Sequence, residues 1–299
     1  MNEALYILGN GFDLAHGIKS KYSDFRDFIT SNHLDLYKGL QEFFDEDYLW
    51  SNFEAALYAI DLNEILERID KNIIPYGSPE WTDACNHMPQ SEVSELVELF
   101  TSELDGALRA WVTSIDIHKN TKYEFKDKSI FLTFNYTMTL EEIYGISSNR
   151  IKHIHNAIAQ KSKILIMGFA NKAIPFEYPP PLPQGDKIEF LKERDFREGQ
   201  SMDIFKTYFS KRRKDAHGIL HKNRAYFDSL CEIKHIYVLG HSLSDIDMPY
   251  FHKIAQKSIN ATWYFFFYSQ ADKDRIESVC KELNLHKFSI YPVNCFGEI

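Results

Sequence analysis

Seven short apolar runs recur along the chain, at Leu5–Leu8, Ile130–Phe134, Ile151–Ile154, Ile164–Met167, Ile236–Leu239, Trp263–Tyr268 and Phe288–Tyr291. Most are uninterrupted and rich in β-branched or aromatic residues, as strands buried on both faces must be. Helical segments separate several of them, so successive strands are joined by crossovers and lie mainly parallel. The spacing predicts an α/β fold, a Rossmann-like open sheet formed by residues 1–299 as one domain. Two gaps are too long for one crossover helix and read as insertions. Residues 20–128 form a helical insertion, with the clearest helix starting at Ser91 as N-cap and carrying an apolar stripe from Val93 to Ile115. Asp45-Glu46-Asp47 and Gly77-Ser78-Pro79 read as loops inside it. Residues 175–224 form an irregular insertion, dense in proline at Pro175–Pro183 and basic at Lys211–Lys214.

Composition narrows the function classes. The chain carries 34 basic and 43 acidic residues, a net charge of −9, which disfavours broad binding to nucleic acid or anionic lipid. It has no apolar stretch of membrane-spanning length and no basic region ahead of its first apolar run, so a cytoplasmic protein without membrane contact is expected. The four cysteines are scattered, with no Cys-x-x-Cys pair, and no metal site is expected on them. His217 and His221 have helical metal spacing, but Gly218-Ile219-Leu220 between them offer no Glu. The 23 Phe and 17 Tyr fit either a ring-packed core or an aromatic cleft.

Chemistry concentrates where the apolar runs end. Leu5–Leu8 runs into Gly9-Asn10-Gly11-Phe12-Asp13, where glycines allow positive φ and let backbone N–H groups crowd around a phosphate or ribose. The third glycine of the dinucleotide fingerprint is missing. Asn135 follows Ile130–Phe134 and shares a face with Thr133 and Thr137. His155 ends the Ile151 run, and an imidazole there can take a proton from water near neutral pH. Gly240-His241-Ser242-Leu243-Ser244-Asp245-Ile246-Asp247 ends the Ile236 run, with Asp245 a candidate cap for the helix begun by Met248 and Pro249. In an open α/β sheet these ends share one edge, where ligands bind. Each residue alone also fits a turn, a cap or a satisfied core group.

Leu5–Asp13, Tyr22-Ser23-Asp24-Phe25 and Trp50-Ser51-Asn52-Phe53-Glu54 resemble the AbiH family of bacterial phage abortive-infection proteins, which in turn resembles the Sir2-like, Rossmann-type NAD-binding group. Asn135 in Phe134-Asn135-Tyr136-Thr137 falls on the Sir2-like Thr-x-Asn motif, His155 on the catalytic histidine, and Gly240–Leu243 on the Gly-x-Ser-Leu loop. Thr137 stands where Asp is usual, Asn156 stands where Gly follows the histidine, and the cysteine tetrad of deacetylating sirtuins is missing.

The resemblance implies a phage-defence effector that hydrolyses or binds NAD+ or a related nucleotide, as substrate or ligand and not as redox cofactor. Asn135 and His155 would be catalytic. Gly9, Asn10, Gly11, Asp13, Ser242 and Asp245 would contact the nucleotide. It also implies assembly with itself or with a defence partner, under a phage trigger. The alternative is a catalytically inactive nucleotide-sensing or protein-interaction module.

Overall fold

The computed structural model describes residues 3–117, 120–181, 185–187 and 194–296. Six strands form one sheet in the order β3-β2-β1-β4-β5-β6, all parallel. They are β1 (Ala4–Leu8), β2 (Ser129–Thr133), β3 (Ile151–His153), β4 (His235–Leu239), β5 (Thr262–Phe267) and β6 (Phe288–Pro292). This is the doubly wound order, in which the chain leaves β1 toward β2 and β3 and later returns to the other side of β1. The Rossmann-like α/β sheet expected from the apolar runs is therefore present.

The central strands bury both faces. Leu5, Ile7, Leu132 and Val238 join one apolar cluster, while Tyr6, Leu8, Phe131 and Tyr237 join the other. Strand register places Phe131, Tyr6, Tyr237 and Tyr264 side by side. Their rings stack at centroid separations of 5.4, 4.8 and 4.9 Å. These four rings thus form a cross-strand ladder in the core.

One expected strand is missing. Ile164–Met167 forms no strand, and Ile164 is two-thirds exposed. Ile166 N–H donates to the His155 carbonyl at 2.9 Å, and side chains of Asn156 and Tyr136 donate to the Ile164 and Ile166 carbonyls, where a paired strand would make a backbone ladder.

The chain divides into two compact units: residues 1–25, 109–166 and 215–299 in one, and 26–108 with 167–214 in the other. The first holds the sheet. The second is helical and draws on both insertions, with Phe196–Arg212 packed against Met88–Glu98. Phe43 and Phe44 meet Phe100 edge-on in its core.

Several local expectations are corrected here. The helix expected from Ser91 begins at Met88, with Pro89 in its first turn; proline suits that position because its missing N–H would be unpaired there anyway. The same stretch includes a π-helical turn at Leu99–Glu103 before it continues as Leu104–Ser114. Asp45 is a helix cap, its carboxylate accepting from Tyr48 N–H ahead of Glu46–Ser51. The region read as irregular contains a 17-residue helix, Phe196–Arg212.

Candidate functional site

Parallel strands present their carboxyl ends on one edge, and four loops meet there. Between β1 and β4 the direction of strand succession reverses, which opens a crevice in this fold. Here the glycines close it. A Cβ at Gly9 would lie 2.5 Å from the His241 Cα, and one at Gly11 would lie 2.7 Å from the Gly240 Cα. Gly9 N–H donates to the Leu239 carbonyl and Gly11 N–H to the Gly240 carbonyl. The positive φ expected at Gly9–Gly11 occurs instead at Gly240, φ +66. These glycines let two loops touch, and the N–H groups of Gly9 and Gly11 are both spent on the carbonyls at the end of β4. Asn10 is exposed, its side chain donating to the Ser20 carbonyl at 2.8 Å.

Asp13 is buried in the short helix Asn10–Ala15. It accepts from the Thr137 hydroxyl at 2.6 Å and the Thr139 hydroxyl at 2.8 Å. Burial pushes its carboxyl up to about 6, even though Thr137, Thr139 and Asn135 hydrogen-bond to it and His153 adds an attractive charge. Desolvation of the charged form outweighs those contacts. The Asn135 amide also donates to the Gly9 carbonyl at 3.1 Å. His153 contacts the Asn135 carbonyl at 3.1 Å and Glu141 at 3.0 Å. Asn135 thus ties the loops after β1 and β2 to the last residue of β3.

His155 belongs to a different set of contacts. Its ring is 3 % exposed and packs edge-on against Phe134 and Tyr250. Its Nε2 lies 3.6 Å from Oδ1 of Asp247. The other oxygen of that carboxylate lies 3.7 Å from Nε2 of His241, whose ring also packs on Phe134 and Phe251. Nδ1 of His241 accepts the Leu243 N–H at 2.9 Å, which puts the proton of the neutral ring on Nε2, toward Asp247. Leu243 achieves this in the left-handed region, φ +53, which costs a leucine about 1–2 kcal/mol. Arg275 holds the Leu243 carbonyl through Nε and Nη2. Asn156, after His155, also has left-handed backbone, φ +67. An asparagine tolerates that conformation better than most residues.

The expected site residues fall into two bonded sets that touch where Gly9 meets His241. Asn135, Asp13 and Gly9 form one bonded group, and His155 sits with Asp247 and His241. Ser242 is exposed, and Asp245 points to solvent and pairs with Arg275 at 2.6 Å. The residue before helix Met248–Lys257 is Asp247, not Asp245, and its side chain makes no cap hydrogen bond. Pro249 in the first turn was the sequence signal that could have located Asp247. His241 carried no signal beyond its place after a glycine. In the helical unit, the basic run is partly internal. Arg212 binds Asp105 at 2.6 Å and Lys214 binds Glu54 at 3.0 Å, both cations being buried.

His217 and His221 lie exposed on the helix Ala216–Lys222. Among the described residues no group of three or more His, Cys, Asp or Glu is arranged to hold a metal ion. Nor is any helix among them long and apolar enough to cross a membrane. No curated protein matches the chain. A family model described as bacteriophage abortive infection AbiH matches residues 5–268, most of its length. The chain belongs to the AbiH family of bacteriophage abortive-infection proteins.

Proposed function

We propose that this abortive-infection protein cleaves the N-glycosidic bond of NAD+ or a related nucleotide at the carboxyl edge of its sheet. The observation that carries this reading is His155, a buried imidazole in the loop after β3 with a carboxylate 3.6 Å from Nε2. Nicotinamide leaves NAD+ as a neutral molecule, so the reaction needs little acid assistance and chiefly a positioned, deprotonated water. His155 takes the proton from that water. The water oxygen bonds to the ribose carbon, and the glycosidic electron pair returns to the nicotinamide ring nitrogen.

Asn10 and Ser242, exposed at the ends of β1 and β4, are the groups we assign to nucleotide contact. Asn135 serves by holding its loop against Gly9, and Asp13 by anchoring Thr137 and Thr139. Phage infection would supply the trigger, acting on a self-assembled form or through a defence partner.

The test is NAD+ consumption by the purified chain, wild type beside His155→Ala and Asn135→Ala, with products identified by mass spectrometry. Nicotinamide release by wild type and its loss in His155→Ala support the reading. NAD+ binding without turnover, equal in wild type and His155→Ala, would favour the sensing module instead.

A further inference from the structure

Asp247 occupies the position before a helix yet makes no side-chain cap bond. An aspartate there ordinarily accepts a helix N–H, and this one instead directs its two oxygens at two imidazoles, 3.6 and 3.7 Å from their Nε2 atoms. His155 comes from the loop after β3, while His241 and Asp247 come from the loop after β4. The His241 ring is fixed by the Leu243 N–H, and Leu243 is fixed by Arg275. Phe134 lies against both imidazoles, and Tyr250 and Phe251 complete the aromatic wall. In such surroundings a carboxylate is poorly solvated and its attraction for a neighbouring imidazolium is strong.

We infer that Asp247 is the positioning residue for His155 and that His241, held in one tautomer, keeps the Asp247 carboxylate ionised and aimed. This rests on the proposed reading that His155 is the base. When His155 takes the proton of the attacking water, the imidazolium forms beside Asp247, and the proton later returns to solvent. Besides these three, the ionisable group packed on His155 from the following helix is Tyr250.

The experiment has one arm that needs no substrate. The full chain, labelled with 13C and 15N in its histidines, is titrated by NMR as wild type and as Asp247→Asn, with ring signals assigned from His155→Gln and His241→Gln. The expected result is a His155 pKa lower by about one unit or more in Asp247→Asn, with His241 protonated on Nε2 in the neutral wild type. In the second arm, NAD+ turnover by Asp247→Asn falls about 100-fold in kcat with KM nearly unchanged. The rising limb of its pH profile moves to lower pH, and Asp247→Glu restores part of the rate. Asp247→Ser is read alongside, should the asparagine variant fold poorly. An unchanged His155 pKa and an unmoved pH limb would overturn the inference even if the enzyme turns over. Coupled histidines without turnover by the untriggered chain would uphold the pairing, and unchanged NAD+ in phage-infected cells as well would refute the reaction.

Discussion

A methyl group at position 240 has nowhere to go. Gly240 has φ +66, and a Cβ there would lie 2.3 Å from the Phe12 nitrogen. Gly240→Ala should therefore destabilise the protein by more than about 2 kcal/mol, read as a fall in melting temperature. Gly106 is the contrast. It lies in the helix Leu104–Ser114, and a Cβ there meets nothing within 4 Å. Gly106→Ala should raise stability by about 0.5–1 kcal/mol, and opposite signs for the two variants are the expected outcome. Asp13 gives a pH signature. Its carboxyl, pushed up to about 6 by burial, holds a proton more tightly in the folded chain than in the unfolded one. Between about pH 4 and 6 the folded state binds more protons, so this group's contribution to stability falls as pH rises, by about 3 kcal/mol across the window. Asp13→Asn should flatten the stability profile between pH 4 and 6; a slope equal to wild type would contradict the assignment. At this scale His155 was legible because a polar residue ended an apolar run. Asp247 was not, because its meaning depends on two imidazoles brought in by separate loops.

Elements were legible where one physical demand dominated. Strands β1, β2 and β4 declare themselves because both of their faces are buried, which forces unbroken apolar sequence. Ile164–Met167 has the same composition but only one backbone tether to the β3 loop, and composition cannot supply a pairing partner. The helix Phe196–Arg212 hid for the reverse reason. Its buried face includes Arg197, Glu198 and Arg212 among Met202, Phe205 and Phe209, so the apolar stripe is interrupted by charges, two paired nearby with Asp195 and Arg194 and one reaching Asp105. Arg197 is fully buried, paired with Asp195 and donating to the carbonyls of Cys85 and Ile74. Arg212 donates to the carbonyls of Phe100 and Thr101, in the π-helical turn, and pairs with Asp105. Arg212→Ala should cost about 3 kcal/mol or more, because it leaves buried carbonyls and a half-buried carboxylate unsatisfied. Arg212→Lys should recover little, since an ammonium cannot reproduce the guanidinium fork. Denaturant unfolding of the two variants checks this, and full recovery by lysine would point to charge alone.

For the molecule as a whole, the six-stranded parallel sheet and the AbiH family assignment connect a Rossmann-like edge to phage defence. The family supplies the biological setting, and the His155–Asp247–His241 cluster supplies the chemistry proposed for it. The glycine loop, which in a dinucleotide site would approach the diphosphate, is used here to seat one loop on another. Nucleotide recognition is accordingly assigned to exposed groups at the same edge. The most direct measurement is cellular NAD+ after phage challenge, in cells expressing the wild-type chain or His155→Ala at equal levels. The account predicts that NAD+ falls upon infection with wild type only, and that protection against the phage is lost in the variant. Protection by wild type with NAD+ and related nucleotides unchanged would contradict it.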